Sequence, residues 1–362
     1  MCYTWGDIVG IYLKFPIGEW KRMQSMVLEP SLFRGAVSLE RKEGGVKPWR
    51  IPYDLFELFP PNGIGGTAEV TAGVRVTFAS DTTNVALELA PSSIPVEVDL
   101  VIEDELIATR RLEPGQTAVS FGELPGRDKT IEIYLPQKAP TIVRSLGIDD
   151  GAAWRVPESR ALRWIAYGSS ITQCGGAFSP ARTWPALVAR RFGLDLTCFG
   201  FSGNCHLEPM VARQIRDRDA DLISMCVGIN VYGGSSLGKR TFRAAVIGFV
   251  QIVREKHPDT PIALMSPIWS PPRETTPNAV EFTLTEMRKE IEEAVAAMSA
   301  LGDTRLHYVD GMTIFDESYA EHLPDELHPD GTGYTIMGTN YGDKVMQPLL
   351  ERYGLRQQAG SR

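Results

Sequence analysis

The sequence predicts an α/β protein in which an antiparallel β-sandwich or jelly roll precedes a three-layer α/β/α domain. Apolar residues recur with a period of two in the first part of the chain, whereas strand-like runs alternate with helical stretches in the second part. The length of 362 residues supports two cores, because a single core rarely grows past roughly 250–300 residues. We therefore expect two domains with separate cores, residues 1–155 and residues 156–362.

The first predicted domain consists of short strands that are separated by turns. Apolar and polar residues alternate in the segments Val74–Phe78, Val85–Leu89, Val96–Ile102 and Ile131–Leu135. The intervening segments contain the Gly, Pro, Asp and Asn residues that are typical of turns. Short strands at this spacing are typical of antiparallel sandwiches, and the period of two predicts one inward and one outward face for each strand.

The second predicted domain alternates apolar runs with helical stretches. The predicted strands are Leu162–Tyr167, Leu194–Phe199, Asp221–Val227, Pro261–Met265 and Arg305–Val309. The predicted helices are Trp184–Phe192, Leu207–Asp217, Thr241–His257, Thr283–Ala300 and Thr332–Tyr353. Strands that are joined through helices pair in parallel, with helices on both faces of the sheet. Because such domains bind ligands at the carboxyl ends of their strands, functional residues are expected just after the strands.

Short polar motifs follow three of these strands, and a fourth motif precedes the last predicted helix. The motifs are Gly168-Ser169-Ser170, Gly200-Phe201-Ser202-Gly203-Asn204, Gly228-Ile229-Asn230 and Asp325-Glu326-Leu327-His328. In this order they resemble blocks I, II, III and V of the SGNH (GDSL-like) serine esterases and acyltransferases, over about residues 162–350. The resemblance implies an SGNH-hydrolase (flavodoxin-like) fold for residues 156–362 and a serine-dependent acyl-transfer activity.

The resemblance assigns catalytic roles to three side chains. Ser170 takes the position of the nucleophile, His328 that of the general base, and Asp325 that of the carboxylate that orients and stabilises the imidazole. A serine hydroxyl is a poor nucleophile without an adjacent base, and histidine is the side chain that exchanges a proton most readily near neutral pH. An aspartate three residues before the histidine can fix the imidazole tautomer from the same turn.

Uncharged donors in three of the motifs form the predicted oxyanion hole. The resemblance assigns this role to the backbone N–H groups of Ser170 and Gly203 and to the side-chain amide of Asn230. A glycine lets its backbone approach the oxyanion closely, and Gly200 in the same motif is the alternative to Gly203. One such donor raises kcat by a factor of about 10²–10³, because it stabilises charge that develops only in the transition state.

Four further residues are candidates for the substrate pocket. Ser169 stands where the first block of the family usually has an aspartate, which predicts a pocket of different shape without loss of activity. His206 lies just after the second motif, and a purely structural role is the alternative. Tyr232, near Asn230, and Trp269, in a proline-rich segment after the fourth strand, would supply aromatic surfaces; for that segment the alternative is a stiff connector.

The first half of the chain carries a second resemblance. Pro48-Trp49-Arg50, the β-rich composition and the first motif together resemble bacterial SGNH proteins with an appended β-sandwich, a subgroup that includes a salicylyl acyltransferase of tetracycline biosynthesis. The resemblance leaves three roles open for the sandwich: a module that binds carbohydrate, a cap over the active site, or a dimer interface.

Charge and cysteine content restrict the partners and the compartment. The net charge of −8 and the pI of about 5.3 provide no basic field for nucleic acid or for an anionic membrane. Five cysteines without a C-x-x-C pair favour a reducing compartment, and neither a signal peptide nor a transmembrane span is predicted. We therefore expect a cytoplasmic enzyme without cofactor or metal, since a His322/His328 pair has no third ligand at usable spacing.

The expected reaction is acyl transfer from a small-molecule ester to water, with an alcohol as the alternative acceptor. Hydrolysis needs fewer special features, so we expect an esterase, and an acyltransferase with the same triad is the alternative. A non-catalytic carbohydrate-binding protein is a further alternative, although all of the catalytic residue types are present. The segment Gly233–Lys239 matches a phosphate-binding G-x-x-x-x-G-K loop, but Arg240 follows where magnesium binding requires Ser or Thr. The sequence also allows a homo-oligomer.

Overall fold

The computed structural model describes residues 11–14, 20–158 and 161–355. The strands up to residue 155 are β1 (Ile11–Lys14), β2 (Trp20–Ser25), β3 (Phe33–Arg34), β4 (Ser38–Lys42), β5 (Gly45–Trp49), β6 (Arg75–Ser80), β7 (Val85–Leu89), β8 (Val96–Ile102), β9 (Glu105–Leu112), β10 (Ala118–Phe121), β11 (Lys129–Tyr134), β12 (Val143–Asp149) and β13 (Trp154–Arg155). A helical turn, α1 (Asn62–Gly65), and short 3₁₀ turns connect some of them. The later strands are β14 (Leu162–Gly168), β15 (Leu194–Gly200), β16 (Leu222–Cys226), β17 (Ile262–Met265) and β18 (Leu306–Val309).

The first thirteen strands form two antiparallel sheets that enclose one core. The first sheet has the order β1-β2-β12-β5-β4, with β7 on β12 and β10 on β7, and the second has the order β13-β6-β11-β8-β9, with β3 on β6. In the second sheet, Ile133 lies opposite Val76 and Leu100, and all three side chains are fully buried. Burying each such side chain contributes about 1.5–3 kcal/mol. The predicted antiparallel sandwich is confirmed.

Part of the outer face of the second sheet, on β6 and β8, is buried as well, against the α/β domain. Arg75, Glu97 and Asp99 alternate with the core residues, yet each is at least nine-tenths buried. Asp99 accepts a hydrogen bond from the backbone N–H of Ala181 (2.7 Å), and Arg75 donates one to the carboxylate of Asp195 (2.6 Å). The period of two was therefore assigned correctly, and the second domain covers these outward polar residues.

The last five strands form a parallel sheet with the order β15-β14-β16-β17-β18. This order is that of flavodoxin-like domains, in which ligands bind where the strand order reverses, at the carboxyl ends of the first and third strands. The helices are α2 (Ser170–Gln173), α3 (Trp184–Phe192), α4 (Pro209–Arg216), α5 (Ile229–Gly234), α6 (Lys239–Arg254), α7 (Leu284–Ala300), α8 (Gly311–Ile314), α9 (Gly331–Tyr341) and α10 (Gln347–Arg352). The last predicted helix consists of α9, a π-helical turn (Gly342–Met346) and α10.

Local sequence signals explain the helix boundaries. Helix α7, for example, begins at a capping box in which Thr283 and Glu286 satisfy each other's backbone N–H groups. Its buried residues Leu284, Met287 and Ile291 recur every three or four residues, so they lie on one face of the helix, and this face packs in the core of the α/β domain. Among the described residues, no helix is long and apolar enough to cross a membrane.

The two halves share part of their hydrophobic core. One cluster lies wholly inside the sandwich, but the cluster around the parallel sheet also contains residues of the first half: Trp49, Ile51, Phe59, Ile64, Ala68, Ala72, Val101 and Tyr134. Two core clusters are thus present, but they do not divide at the predicted boundary, because these side chains of the first half pack on the α/β domain. Strand β13 ends at Arg155 and β14 begins at Leu162; a domain boundary at residue 155 stays a prediction.

We expect a fragment of residues 156–362 to be much less stable than the full chain. It would expose apolar surface that now contacts Trp49, Ile51 and Val101, and each fully buried apolar side chain contributes about 1.5–3 kcal/mol. Thermal unfolding of both proteins, followed by circular dichroism, measures the difference. The control is the full chain cut at a protease site inserted between residues 157 and 161; both pieces remain present, so at high protein concentration its Tm should lie well above that of the fragment. A fragment with the Tm of the full chain would contradict a shared core.

Candidate active site

Ser170 lies at the carboxyl end of β14, as the first residue of α2. The preceding Ser169 is the N-cap of this short helix, and its hydroxyl accepts the backbone N–H of Ile171 (3.2 Å). Ser169 is fully buried, whereas Ser170 is half-buried and reaches the surface. The Ser169 side chain thus caps the helix backbone, and its place in the substrate pocket stays a prediction.

A chain of hydrogen bonds connects Ser170 with two residues near the carboxyl end of the sequence. The Ser170 Oγ lies 2.8 Å from His328 Nε2, and His328 Nδ1 lies 2.6 Å from Asp325 Oδ2. Because a proton on Nδ1 is bound to the carboxylate, Nε2 is left to accept the hydroxyl proton of Ser170. The structure thus brings together the three side chains predicted as the triad, although 158 residues separate Ser170 from His328.

The local turn holds Asp325 as an anion. Its Oδ1 accepts the backbone N–H groups of His328 (2.6 Å) and Leu327 (3.1 Å). Burial tends to raise the pKa of Asp325, but the N–H donors of His328 and Leu327 lower it further, so that the net pKa lies below the usual value for aspartate. The side chains of His328 and Asp325 are 37% and 54% exposed, so water reaches the pair.

The proline-rich segment after β17 forms hydrogen bonds to the turn that carries Asp325 and His328. The backbone oxygen of Glu326 accepts hydrogen bonds from Ser270 Oγ (2.6 Å) and Arg273 (3.1 Å). The segment is itself anchored by Arg288 of α7, which donates to the Pro267 oxygen (2.8 Å). Trp269 lies in the same segment, half-buried on the core, and its backbone N–H donates to another loop rather than to the triad. Its role in the pocket stays a prediction.

Two of the predicted oxyanion-hole donors lie in loops that contact each other. The side-chain oxygen of Asn230 accepts the backbone N–H of Cys205 (3.0 Å), so its amide nitrogen, which has no partner among the described residues, is left as a donor. Gly203 is exposed and has a φ of 70°, a conformation that favours glycine. Gly200, the alternative, ends β15, where a Cβ would lie 2.2 Å from the backbone nitrogen of Gln173. Close packing thus accounts for Gly200.

The remaining pocket candidates bind neighbouring loops. His206 contacts the Gly203 oxygen through Nε2 (3.0 Å) and Ser236 Oγ through Nδ1 (2.7 Å), so it supports the turn that carries Gly203. The Tyr232 hydroxyl donates to the backbone oxygen of Thr276 (2.9 Å). Neither side chain forms a hydrogen bond with Ser170 in the described part of the chain, and their place in the substrate pocket stays a prediction.

The alternative sites lack the expected features. Lys239, the lysine of the G-x-x-x-x-G-K match, is the first residue of α6 and forms an ion pair with Glu286 (2.5 Å) rather than facing a loop of backbone donors. Within the described ranges, no group of three or more His, Cys, Asp or Glu side chains is arranged to hold a metal ion.

Comparison with protein families identifies the class. The model of the GDSL-like lipase/acylhydrolase family matches residues 162–347, more than half of the chain. The chain belongs to this family. A second model, for the N-terminal domain of SsfX3, matches residues 31–144. As a member of the GDSL-like family, the chain is an enzyme that acts on small-molecule esters, a serine esterase or acyltransferase. The predicted enzyme class is therefore confirmed.

Solved structures agree with this assignment. The GDSL-like chain is similar to the salicylyl-acyltransferase SsfX3 from a tetracycline biosynthetic pathway, with 32% identity and a TM-score of 0.83 over 92% of this chain and 98% of the other. A Bacteroides ovatus protein assigned to the GDSL-like lipases shares 21% identity, with a TM-score of 0.71 over 88% and 96% of the two chains.

A more distant structure shares the fold. It is a carbohydrate esterase family 2 enzyme with a carbohydrate-binding domain, from Corynascus thermopiles (Myceliophthora fergusii), with 19% identity and a TM-score of 0.56 over 78% and 94% of the two chains. No curated protein sequence matched this chain.

Sequence reasoning missed the contribution of the first domain to this region. Gly65 packs on the side chain of Asn204, next to Gly203, and Arg50 binds backbone oxygens at the end of β15. Arg50 was noted only as part of a subgroup resemblance. No local pattern connects residue 50 with residue 200, so the contact is visible only in the folded chain.

We expect Asp325→Asn to lower kcat by about 10³–10⁴-fold, because an amide neither fixes the imidazole tautomer nor stabilises the imidazolium. Steady-state hydrolysis of p-nitrophenyl acetate measures the loss. Asp330→Asn is the matched control: Asp330 caps α9, and asparagine caps a helix equally well, so this variant should keep its activity. Equal activities for the two variants would rule out the proposed function of Asp325.

Proposed function

We propose that the protein hydrolyses small-molecule carboxylic esters through an acyl-enzyme intermediate on Ser170. The observation that carries this proposal is the hydrogen-bonded series Ser170–His328–Asp325 at the carboxyl end of β14. A nucleophile within 2.8 Å of a base, which is in turn bound to an orienting carboxylate, is the arrangement that activates a serine hydroxyl.

In the first half-reaction, Ser170 Oγ attacks the ester carbonyl carbon and its proton passes to His328 Nε2. The tetrahedral oxyanion accepts hydrogen bonds from the backbone N–H groups of Ser170 and Gly203 and from the Asn230 amide. Collapse of this intermediate breaks the bond to the alcohol oxygen, which takes the proton from His328. The alcohol leaves, and the acyl group remains on Ser170 as an ester. Asp325 stabilises the imidazolium while it carries the proton.

In the second half-reaction, water attacks the acyl carbon while His328 accepts its proton. The new tetrahedral intermediate uses the same three donors, and its collapse returns the proton to Ser170 and releases the carboxylic acid. The exposure of the His328 and Asp325 side chains supports hydrolysis, because water at about 55 M reaches the base directly.

Acyl transfer to an alcohol is the second candidate. It is supported by the 32% identity with a salicylyl-acyltransferase, a similarity that extends through both domains. The same triad serves both reactions, so the acceptor site decides between them. Tyr232 and Trp269 are the aromatic residues that we propose for binding an acceptor or a leaving alcohol; sugar esters are one substrate class with such an alcohol.

We infer a cytoplasmic location from the sparse cysteines. Cys2 lies outside the described residues; the other four, Cys174, Cys198, Cys205 and Cys226, are buried free thiols, and burial raises the pKa of each. A protein that keeps several thiols unpaired is suited to a reducing compartment.

We expect a fluorophosphonate probe to label Ser170 and no other residue. The probe requires an activated hydroxyl, and peptide mass spectrometry locates the label. Ser170→Ala should abolish both labelling and ester hydrolysis. Ser169→Ala is the matched control: it removes the N-cap of α2, at a cost of about 1 kcal/mol of stability, but leaves the nucleophile in place. Undiminished labelling of the Ser170→Ala variant would contradict the assignment.

We expect free acid to be the main product when the acyl-enzyme is offered alcohols. With p-nitrophenyl acetate as donor, glycerol and phenethyl alcohol are titrated, and acid and ester products are quantified by chromatography. An oriented acceptor can reach an effective molarity of about 10⁵ M, far above that of water. Ester formation that saturates at low acceptor concentration would therefore establish the acyltransferase and rule out simple hydrolysis.

A further inference from the structure

Arg50 crosses from the first domain into the second and is fully buried there. It follows β5 in the sandwich, and its Nη1 donates to the backbone oxygens of Gly200 (2.6 Å) and Cys198 (3.2 Å) in β15. Its Nη2 donates to the Thr67 oxygen (2.7 Å), and its guanidinium lies over the ring of Phe201, 4.9 Å from the centroid. One side chain therefore connects the sandwich, β15 and the residue after β15.

The Arg50 contact places a charged side chain in a fully buried position, which is costly for a purely structural contact. Burial lowers the pKa of the Arg50 guanidinium to about 10, so the group stays charged at neutral pH. Among the described residues, the acceptors of its hydrogen bonds are all backbone oxygens. Burying a charge is costly, and an apolar side chain of similar size often stabilises a protein equally well. A guanidinium differs from such a side chain because its rigid fork fixes several acceptors in one geometry.

The fixed acceptors belong to the strand that leads into the oxyanion-hole turn. Gly200 is the last residue of β15, and the turn that follows is closed by a hydrogen bond from the Asn204 N–H to the Phe201 oxygen (3.0 Å). Gly203, with its φ of 70°, lies inside this turn. Arg50 thus binds the backbone three residues before Gly203 and covers the ring of Phe201 within the turn.

The same turn is contacted from the sandwich at a second point. Gly65 of α1 packs against the side chain of Asn204, so closely that a Cβ on Gly65 would lie 2.3 Å from the side-chain oxygen. Thr67, whose oxygen accepts a hydrogen bond from Arg50, follows α1. The α/β domain in turn binds the backbone of Arg50, whose oxygen accepts the side-chain N–H of Gln214 (2.7 Å). These contacts hold Arg50 on both sides and leave the turn little freedom relative to the sandwich.

The position of β15 explains why it needs such support. β14 and β16, which lead to Ser170 and Asn230, each have a strand on both sides, but β15 is an edge strand of the parallel sheet. An edge strand has unpaired carbonyl groups along its open side. Leu196, Cys198 and Gly200 alternate along β15, and their oxygens accept the donors of Arg75 and Arg50.

We propose that Arg50 is a positioning residue that fixes the Gly203 N–H in the oxyanion hole, so that the sandwich domain takes part in transition-state stabilisation. The inference rests on the proposed role of Gly203. If it holds, loss of the guanidinium fork displaces a donor that acts only on the transition state, and kcat falls while KM changes little.

Arg75 provides a matched control. It is also buried, crosses the same interface and donates to the Leu196 oxygen (2.9 Å) and to the carboxylate of Asp195 (2.6 Å). These contacts lie near the beginning of β15, away from the Gly203 turn. Arg75 variants therefore report how much the interface alone contributes to activity.

The test compares Arg50→Lys, Arg50→Met, Arg75→Lys and Arg75→Met in the full chain. We measure kcat and KM with p-nitrophenyl acetate, the inhibition constant of phenylboronic acid, whose adduct with serine is tetrahedral, and the Tm. For the Arg50 variants we expect a loss of about 10–10³-fold in kcat, an equal loss in boronate affinity, and a KM within about threefold of the wild-type value. The Arg75 variants should lower the Tm yet keep kcat within about threefold.

Either of two outcomes would overturn the inference: Arg50 variants with wild-type kcat, or equal losses of kcat for the Arg50 and Arg75 variants. If Arg50→Met does not fold, Arg50→Lys carries the test, because lysine keeps the charge but lacks the fork. The variants Asn230→Ala and Ser170→Ala show whether only the positioning role of Arg50 fails or whether the proposed function fails as well. If both of these are inactive while Arg50→Lys is fully active, only the positioning role fails; if they retain full activity, the proposed function fails.

Discussion

The contact between the sandwich and the open edge of β15 is the constraint on which the arrangement of this molecule depends. Arg75 and Arg50 bind alternate carbonyl groups of this edge strand, from Leu196 to Gly200. Carbonyl groups on an open edge otherwise bind water or another strand. Because the arginines come from the sandwich, the same hydrogen bonds that satisfy the edge also fix the orientation of the two domains.

This contact determines the polarity of the second antiparallel sheet. Its outer face carries charged residues such as Arg75 and Asp99 where it meets backbone groups and polar side chains of the other domain, beside apolar residues such as Val101 that pack on the core of that domain. Burial alone would lower the pKa of the Arg75 guanidinium, but the carboxylates of Glu132 and Asp195 raise it further than burial lowers it. The interface therefore keeps these ion pairs although the Arg75 side chain itself is buried.

The sequence was sufficient to predict the two folds and three side chains that hydrogen bonds join in the structure, but not the interface. Ser170, Asp325 and His328 were predictable because each sits in a short motif at a position that a doubly wound sheet uses for chemistry. The burial of the outer face was not predictable, because alternating polar residues such as Arg75 and Asp99 look the same whether they face water or a polar domain surface. The capping role of Ser169 was not predicted, because attention went to its departure from the family pattern, whereas its position before a helix accounts for it as an N-cap.

The supports of the active site differ in their origin. The Asp325–His328 turn rests on the proline-rich segment, which α7 anchors through Arg288, and the loops after β14 and β16 are held between neighbouring strands. The turn after β15 lacks a strand on its outer side, so the turn with the least support from the parallel sheet is the one that the sandwich contacts, at Gly200, Phe201 and Asn204. An esterase site of this type needs all of its donors fixed before charge develops, because a donor that must reorganise during the reaction loses much of its effect. An appended domain that closes the open edge of the sheet meets this requirement without contributing a reacting group of its own.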